Sequence, residues 1–363
     1  MRLLYFSRDY TPHDHRFLAA LAHTGNSVYF LRLERRDNSV DGRPLPENIE
    51  AIPWRGGRRP ITVIDIPGLY LALKEVLRQI DPDLIHAGPL QSCAWLVALT
   101  GFRPLVSMSW GYDLMHDAER NAFWRWITRF TLRRSAVMVG DCDAVRRQAI
   151  RFGMAADRIV TFPWGVDLTQ FAPGDQIQMS PDRFSLLSVR LWEPIYGVDV
   201  LARAFVQVAR QHTDVELVML GGGSQADLIR KIFADGGALD QVHFPGHIEQ
   251  ANLPDYYRSA DLYLSASHTD GSSVSLLEAM ASGCPAVVSD IPGNREWVRP
   301  GVNGWLFRDG DSDAMAQAIL EAIEHHKSLA DMRKAARRVA EQRADWRKNF
   351  PELLHAYDVA TNS

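Results

Sequence analysis

The chain has 363 residues, 46% of them hydrophobic, and a formal net charge of −4. That length favours two domains of ordinary size, each able to bury a core. Cys93, Cys142 and Cys284 lie far apart with no C-x-x-C spacing, which excludes a disulfide framework or a zinc site and fits a reducing cytosol.

No apolar run approaches a membrane span, and residues 3–6 are too short for a signal-peptide core, so the expected location is the cytoplasm. The charge is unevenly divided. Residues 1–172 carry 22 Lys+Arg against 18 Asp+Glu, and the remainder 18 against 26. A positive first half suits an anionic surface or acceptor. Nucleic acid is not expected as a partner, because the excess is small and no zinc-finger, helix-turn-helix or aromatic RNA-binding signature occurs.

In chain order, 1–7 alternates into a strand, 14–23 reads as a helix and 28–33 as a second strand, a Rossmann-like start. The loop RDYTPHDHRF carries His13, His15 and Arg16; two histidines and one acid make no complete metal site. Residues 35–60, rich in Arg, Pro and Gly, read as one long loop of the kind that carries specificity. The alternation resumes with a helix at 70–79, a turn into a strand at DPDLIHA, a helix at 92–99 and a strand at 104–109. Residues 137–139 are a strand, and DCDAVRRQAIRFG is a helix closed by Gly153.

Between them, 120–134 is an amphipathic helix with Phe123, Trp126, Ile127 and Phe130 on one face and Arg125, Arg129 and Arg133 on another. One reading packs the apolar face on the domain core. The other, prompted by Trp124 beside the basic stripe, makes the helix an interfacial segment on an anionic bilayer.

The Pro/Gly/polar run 173–182 is the expected linker. Beyond it, 184–189 is a strand with Arg190 at its end, and 198–211 is a helix. Strand 215–220 ends in Gly221-Gly222-Gly223, which is no dinucleotide fingerprint, and no Walker lysine is present, so NAD and ATP are not expected. Strand 242–246 follows. The run from Asp309 fails as a calcium loop, since position 6 is Ala314 and position 12 Leu320. The pairs Asp81/Asp83 and Asp141/Asp143 read as turns or caps rather than metal ligands. Residues 314–324 and 329–354 are helical, with a break expected at Pro351.

The most informative stretch is 261–298, which reads strand 262–266, polar loop, helix 274–281, then strand 286–289 after the stop at Gly283 and Pro285. Its loop lies at the carboxyl end of a strand, where open parallel sheets bind ligands. Gly271 allows close backbone approach, the N–H groups near 272–274 meet the positive end of a helix dipole, and phosphate is the natural guest. Ser272 and Ser273 offer hydroxyl N-caps. Asp270 and Glu278 would repel phosphate, so both are expected to accept hydrogen bonds from hydroxyls. Hydroxyls plus phosphate describe a sugar nucleotide.

The acid, seven residues, Glu pattern followed by EAMASGCPAVVSD resembles the signature of the family-4 (group 1) retaining glycosyltransferases of GT-B architecture. The resemblance implies an α/β fold of two Rossmann-like doubly wound domains facing an interdomain cleft. Residues 1–172 would bind acceptor, 183–345 the nucleotide-sugar donor, and helix 346–363 would cross back to the first domain. It implies that Glu278 holds the ribose, that Asp270, normally Glu, contacts the transferred sugar, and that the loop with His268 and the backbone of Gly271, Ser272, Ser273 and Val274 binds the diphosphate. Arg190 matches the family's diphosphate arginine, Tyr196 stands where a lysine is usual, and the nucleobase lies near His247 and Ile248. SWGYD resembles a strand-end His-Gly-x-Asp with Trp110 in the histidine's place and Asp113 as its acid. Because the first loop lacks paired glycines, His13 and Arg16 join them as acceptor-side candidates. Trp164 replaces a usual Asn before Gly-Val-Asp.

The expected reaction is transfer of a hexosyl group from a nucleoside diphosphate sugar to a hydroxyl, lipid-linked acceptors included, with no metal or cofactor. A sugar-nucleotide epimerase, a phosphorylase and a non-catalytic relative remain open on the same scaffold.

Overall fold

The computed structural model describes residues 1–35, 43–174 and 183–362. The chain divides into two compact units, Met1–Phe162 with Phe350–Ser363, and Pro163–Asn349. In the first, short apolar runs too brief for helices form strands β1 Arg2–Ser7, β2 Ser27–Arg32, β3 Ile49–Ala51, β4 Leu84–Gly88, β5 Leu105–Met108, β6 Val137–Gly140 and β7 Ile159–Thr161. They make one parallel sheet in the order β3-β2-β1-β4-β5-β6-β7. The second unit holds β8 Phe184–Ser188, β9 Val215–Leu220, β10 Val242–Gly246, β11 Leu262–Ser265, β12 Ala286–Ser289 and β13 Gly304–Phe307, ordered β10-β9-β8-β11-β12-β13.

Both sheets are doubly wound. The winding reverses between β1 and β4 in one unit and between β8 and β11 in the other, and these switch points open crevices outside the strand carboxyl ends. In the second unit Leu262 pairs with Leu186 and Tyr263 with both Leu187 and Ala286, so the loops after β8, β11 and β12 leave side by side.

Several elements depart from expectation. β3 lies inside the predicted loop 35–60, of which 36–42 is outside the described residues; so is 175–182 of the predicted linker. β13 and the helices Ala226–Gly236 and Leu253–Ser259 were not foreseen. The first helix starts at Pro12, because Thr11 and Asp14 form a capping box. The break expected at Pro351 falls at 344–345 instead, and Pro351 sits inside helix Trp346–Thr361. There the chain is diverted into a bridge in which Val166 N donates to Ala344 O at 2.7 Å and Trp346 N to Val166 O at 3.1 Å, while Asp345 accepts from Arg347 N. Six residues into the helix, proline removes one hydrogen bond without ending it.

Helix Ala122–Arg134 packs only part of the face predicted for it, Ile127 and Phe130. Its inward stripe is Ile127, Thr128, Thr131 and Leu132. Thr128 can face inward because its hydroxyl donates to Trp124 O at 2.8 Å and accepts from Gln91 at 2.9 Å. Phe123 and Trp126 are left 60% and 52% exposed, stacked on one another and on Phe130.

In the first unit, Tyr357 of the last helix is buried against β4, with its hydroxyl 2.6 Å from His86 Nδ1. Burial pushes the imidazole down to about 3. A depressed pKa stabilises the fold above the unfolded value near 6.5 and is lost as pH falls. The His86 contribution is therefore expected to drop by about 1.4 kcal/mol for each pH unit between that value and about 3. Urea denaturation of the wild type and His86→Gln from about pH 6 to 4 should show this slope in the difference between the two, where the other titrating groups cancel.

Candidate functional site

The site in the second unit is built from the loops after β8 and β11. They are locked together at Gly197, whose φ of +57° suits glycine and where a Cβ would lie 2.1 Å from Ala266 O. His268 N donates to Ile195 O at 3.0 Å. From below, Gly293 abuts the motif so closely that a Cβ would meet Gly271 O at 2.2 Å.

Arg190 is the centre of this arrangement. One guanidinium nitrogen donates to Asp270 Oδ2 at 2.7 Å; the other reaches Ser273 Oγ at 2.9 Å and Ser275 Oγ at 3.1 Å. Its Cζ lies over the Tyr196 ring, 4.2 Å from the centroid, a cation–π contact. Burial works against the charge, but the facing Asp270 outweighs it, and Arg190 is held above its ordinary range. A lysine at Tyr196, as the family resemblance implies, would set two cations against each other here. Ser275 continues the network to Tyr263 at 2.8 Å.

Glu278, one turn into helix Val274–Ala281, is 6% exposed and accepts from the Tyr257 hydroxyl at 2.9 Å. Burial, with the carboxylate second, pushes the Tyr257 phenol well up, so it stays a donor. The predicted hydroxyl cap does not form at Ser273. Ser273 takes the N-cap position, but its side chain makes no cap bond and instead accepts from Arg190, while Ser272 Oγ accepts from Trp297 at 3.1 Å. The first-turn amides therefore face the loop without a hydroxyl cap from Ser273, beside a buried cation.

The remaining donor candidates follow β10 and β11. His268 Nδ1 is 2.7 Å from Asp309 Oδ1. His247 is exposed after β10, and Ile248 is half-buried against the unit's second core.

The acceptor-side candidates lie in the first unit, after β1 and β5. His13 and Trp110 come together with ring centroids 5.7 Å apart, and Trp110 also meets Phe17 edge-on. Arg16 is half-buried on the first helix. Asp113 is fully buried; it accepts from Ser109 Oγ at 2.5 Å and from the Leu90, Trp110 and Leu114 amides at 3.0–3.1 Å. Burial pushes its carboxyl up to about 6. Its geometry ties the loop after β4 to the loop after β5.

Sequence reasoning missed Tyr257, Ser275, Trp297 and Asp309. Ser275 alone had a local signal, its position two residues from Ser273; the others come from separate elements.

Two family profiles match the chain, "Glycosyl transferases group 1" over residues 175–339 and "Glycosyltransferase Family 4" over 13–170. A phosphatidyl-myo-inositol mannosyltransferase of Mycolicibacterium smegmatis is 30% identical over 331 residues, 88% of this chain and 80% of that protein. The chain belongs to the group 1, family 4 glycosyltransferases.

The protein of the same name from Mycobacterium leprae is 31% identical over 208 residues, 56% of this glycosyltransferase and 54% of that one. Among solved structures, Anabaena HepE in complex with UDP-glucose superposes with a TM-score of 0.80 at 19% identity, covering 99% of each chain. That likeness supports the fold, two Rossmann-like units of the GT-B architecture.

Proposed function

We propose that this glycosyltransferase moves a hexosyl group from a nucleoside diphosphate sugar to a hydroxyl acceptor with retention of anomeric configuration. The second unit binds the donor and the first the acceptor. The observation that carries the reading is the buried Arg190, forked across Asp270, Ser273 and Ser275 at the N-terminus of the helix bearing Glu278. A diphosphate placed there meets a cation and helix amides, and the carboxylates accept from sugar hydroxyls. HepE, which shares the fold, was solved with UDP-glucose.

The acceptor oxygen bonds to the anomeric carbon on the face the phosphate leaves. The bond from that carbon to the phosphate oxygen breaks, and the acceptor's proton passes to the departing phosphate. Arg190 and the first-turn amides stabilise the developing charge, and neither metal nor cofactor is needed. Thermal shift and hydrolysis with UDP-, GDP- and ADP-sugars, with and without EDTA, test this. At least one should raise the melting temperature and turn over in EDTA; no response to any would overturn the reading.

The acceptor we propose is lipid-linked, as in the relatives whose names specify phosphatidyl-myo-inositol, and the enzyme works peripherally on the cytoplasmic leaflet. Among the described residues no helix is long and apolar enough to cross a membrane. Helix Ala122–Arg134 supplies the contact, with Phe123 and Trp126 exposed beside exposed Arg125, Arg129, Arg133 and Arg134. Such an edge suits an anionic interface. The protein should co-sediment with anionic liposomes in a salt-sensitive way, and Arg125→Glu/Arg129→Glu/Arg133→Glu should stay in the supernatant. Equal recovery of both proteins in the supernatant overturns the membrane contact.

A further inference from the structure

The largest exposed aliphatics of the described chain are not on that helix. Val63 is 83% exposed and Ile64 90%, and Pro67 and Leu71, the latter 67% exposed, follow within two turns. Single exposed apolar side chains are ordinary; four within nine residues form a patch that asks for a partner.

The patch is held rigidly. Ile61 and Ile66 on either side pack against the first unit's core. Thr62 N and Oγ each donate to Asp65 Oδ2 at 2.9 Å, and Arg59 forks onto the same carboxylate at 2.7 and 3.2 Å. The bond from Arg59, with those from Thr62, draws Asp65 down to about 2. It is the only acid between residues 55 and 74 and is ion-paired, which leaves Arg55, whose guanidinium lies beside Gly68, with Arg58 and Lys74 as exposed cations flanking the apolar tip in the chain.

Its position is set by the sheet. Helix Ile66–Ile80 leads into β4 and helix Ala122–Arg134 into β6, so in a parallel sheet both begin at the strands' carboxyl edge. Leu69, Leu73 and Val76 of one and Phe130 of the other pack on the same core cluster. The two helices therefore lie in one layer, and Val63–Ile64 and Phe123–Trp126 stand at the same edge of it.

We propose that the turn 61–67 is a second membrane anchor, inserting Val63 and Ile64 between the headgroups of an anionic leaflet while Arg55, Arg58 and Lys74 meet lipid phosphates. The inference rests on the peripheral-membrane reading above and adds the element that enters the bilayer. A second copy of the chain is a poorer occupant, since a symmetric contact would bring the same cations together.

Val63→Ser/Ile64→Ser removes only exposed side chains and should leave folding and nucleotide affinity unchanged. Partitioning onto phosphatidylglycerol/phosphatidylcholine vesicles should weaken by about tenfold or more. Ile64→Trp should show blue-shifted fluorescence, quenched by brominated lipid, on those vesicles and not on phosphatidylcholine alone. If the wild type binds no vesicle, both membrane readings fall. If Phe123→Ser/Trp126→Ser loses binding while Val63→Ser/Ile64→Ser keeps it and Ile64→Trp shows no shift, the inference about the turn falls alone. A wild-type dimer by sedimentation velocity that Val63→Ser/Ile64→Ser converts to monomer, with vesicle binding intact, also overturns it.

Discussion

Glu278→Gln is expected to weaken binding of any nucleoside diphosphate sugar by roughly ten- to a hundredfold. A hydrogen bond to a charged group contributes about 1.5–3 kcal/mol, and each 1.4 kcal/mol is a factor of ten. Glutamine keeps an oxygen for the Tyr257 hydroxyl, now 2.9 Å away, so the fold should survive while the charge and one acceptor site are lost. Tyr257→Phe separates the two contributions. It leaves the carboxylate in place with one donor fewer, and should lower affinity less than Glu278→Gln does. Calorimetric titration with the donor that gives the largest thermal shift decides the matter, and unchanged affinity in Glu278→Gln would remove this residue from the site.

The second large effect is expected on turnover rather than binding. Arg190→Lys should reduce kcat by about a hundred- to a thousandfold, the usual loss when one charge-stabilising donor is taken from a transition state. Lysine cannot donate to Asp270 with one nitrogen and to Ser273 and Ser275 with another while its charge stays over the Tyr196 ring, as the guanidinium's does. Charge at the position is nominally conserved, so a KM close to that of the wild type with a collapsed kcat would mark Arg190 as a group that acts when the phosphate leaves. A parallel loss in KM alone would make it a ground-state binder.

The doubly wound fold was legible because strands such as 184–189, 262–266 and 286–289 are apolar runs too short for helices, punctuated by Gly and Pro. Strands of three or four residues, β3 and β13, carry too little pattern to be seen without their sheet partners. Helix Ala122–Arg134 turns Ile127 and Phe130 inward as expected but Thr128 and Thr131 in place of Phe123 and Trp126, whereas hydrophobicity favours Phe and Trp over Thr. Burial of Thr128 depends on a hydrogen bond to its own helix that no periodicity reveals. In the donor site, spacing exposed Asp270 and Glu278, whereas Tyr257 stands 21 residues before its partner Glu278 on another helix. Serines at a helix start read as caps by propensity. Here a buried arginine competes for Ser273 and wins.

The first unit is completed by Phe350–Ser363, with the whole second unit intervening in the chain. On the ribosome, Pro163–Asn349 can close its sheet while the earlier-made strands still wait for Leu353, Ala356 and Tyr357 to cover them. Until then His86 lacks its hydroxyl partner and part of an apolar layer stands open. The half of the protein synthesised first is thus the last to mature, and nascent chains stalled before residue 350 are the species on which holdase chaperones should be found.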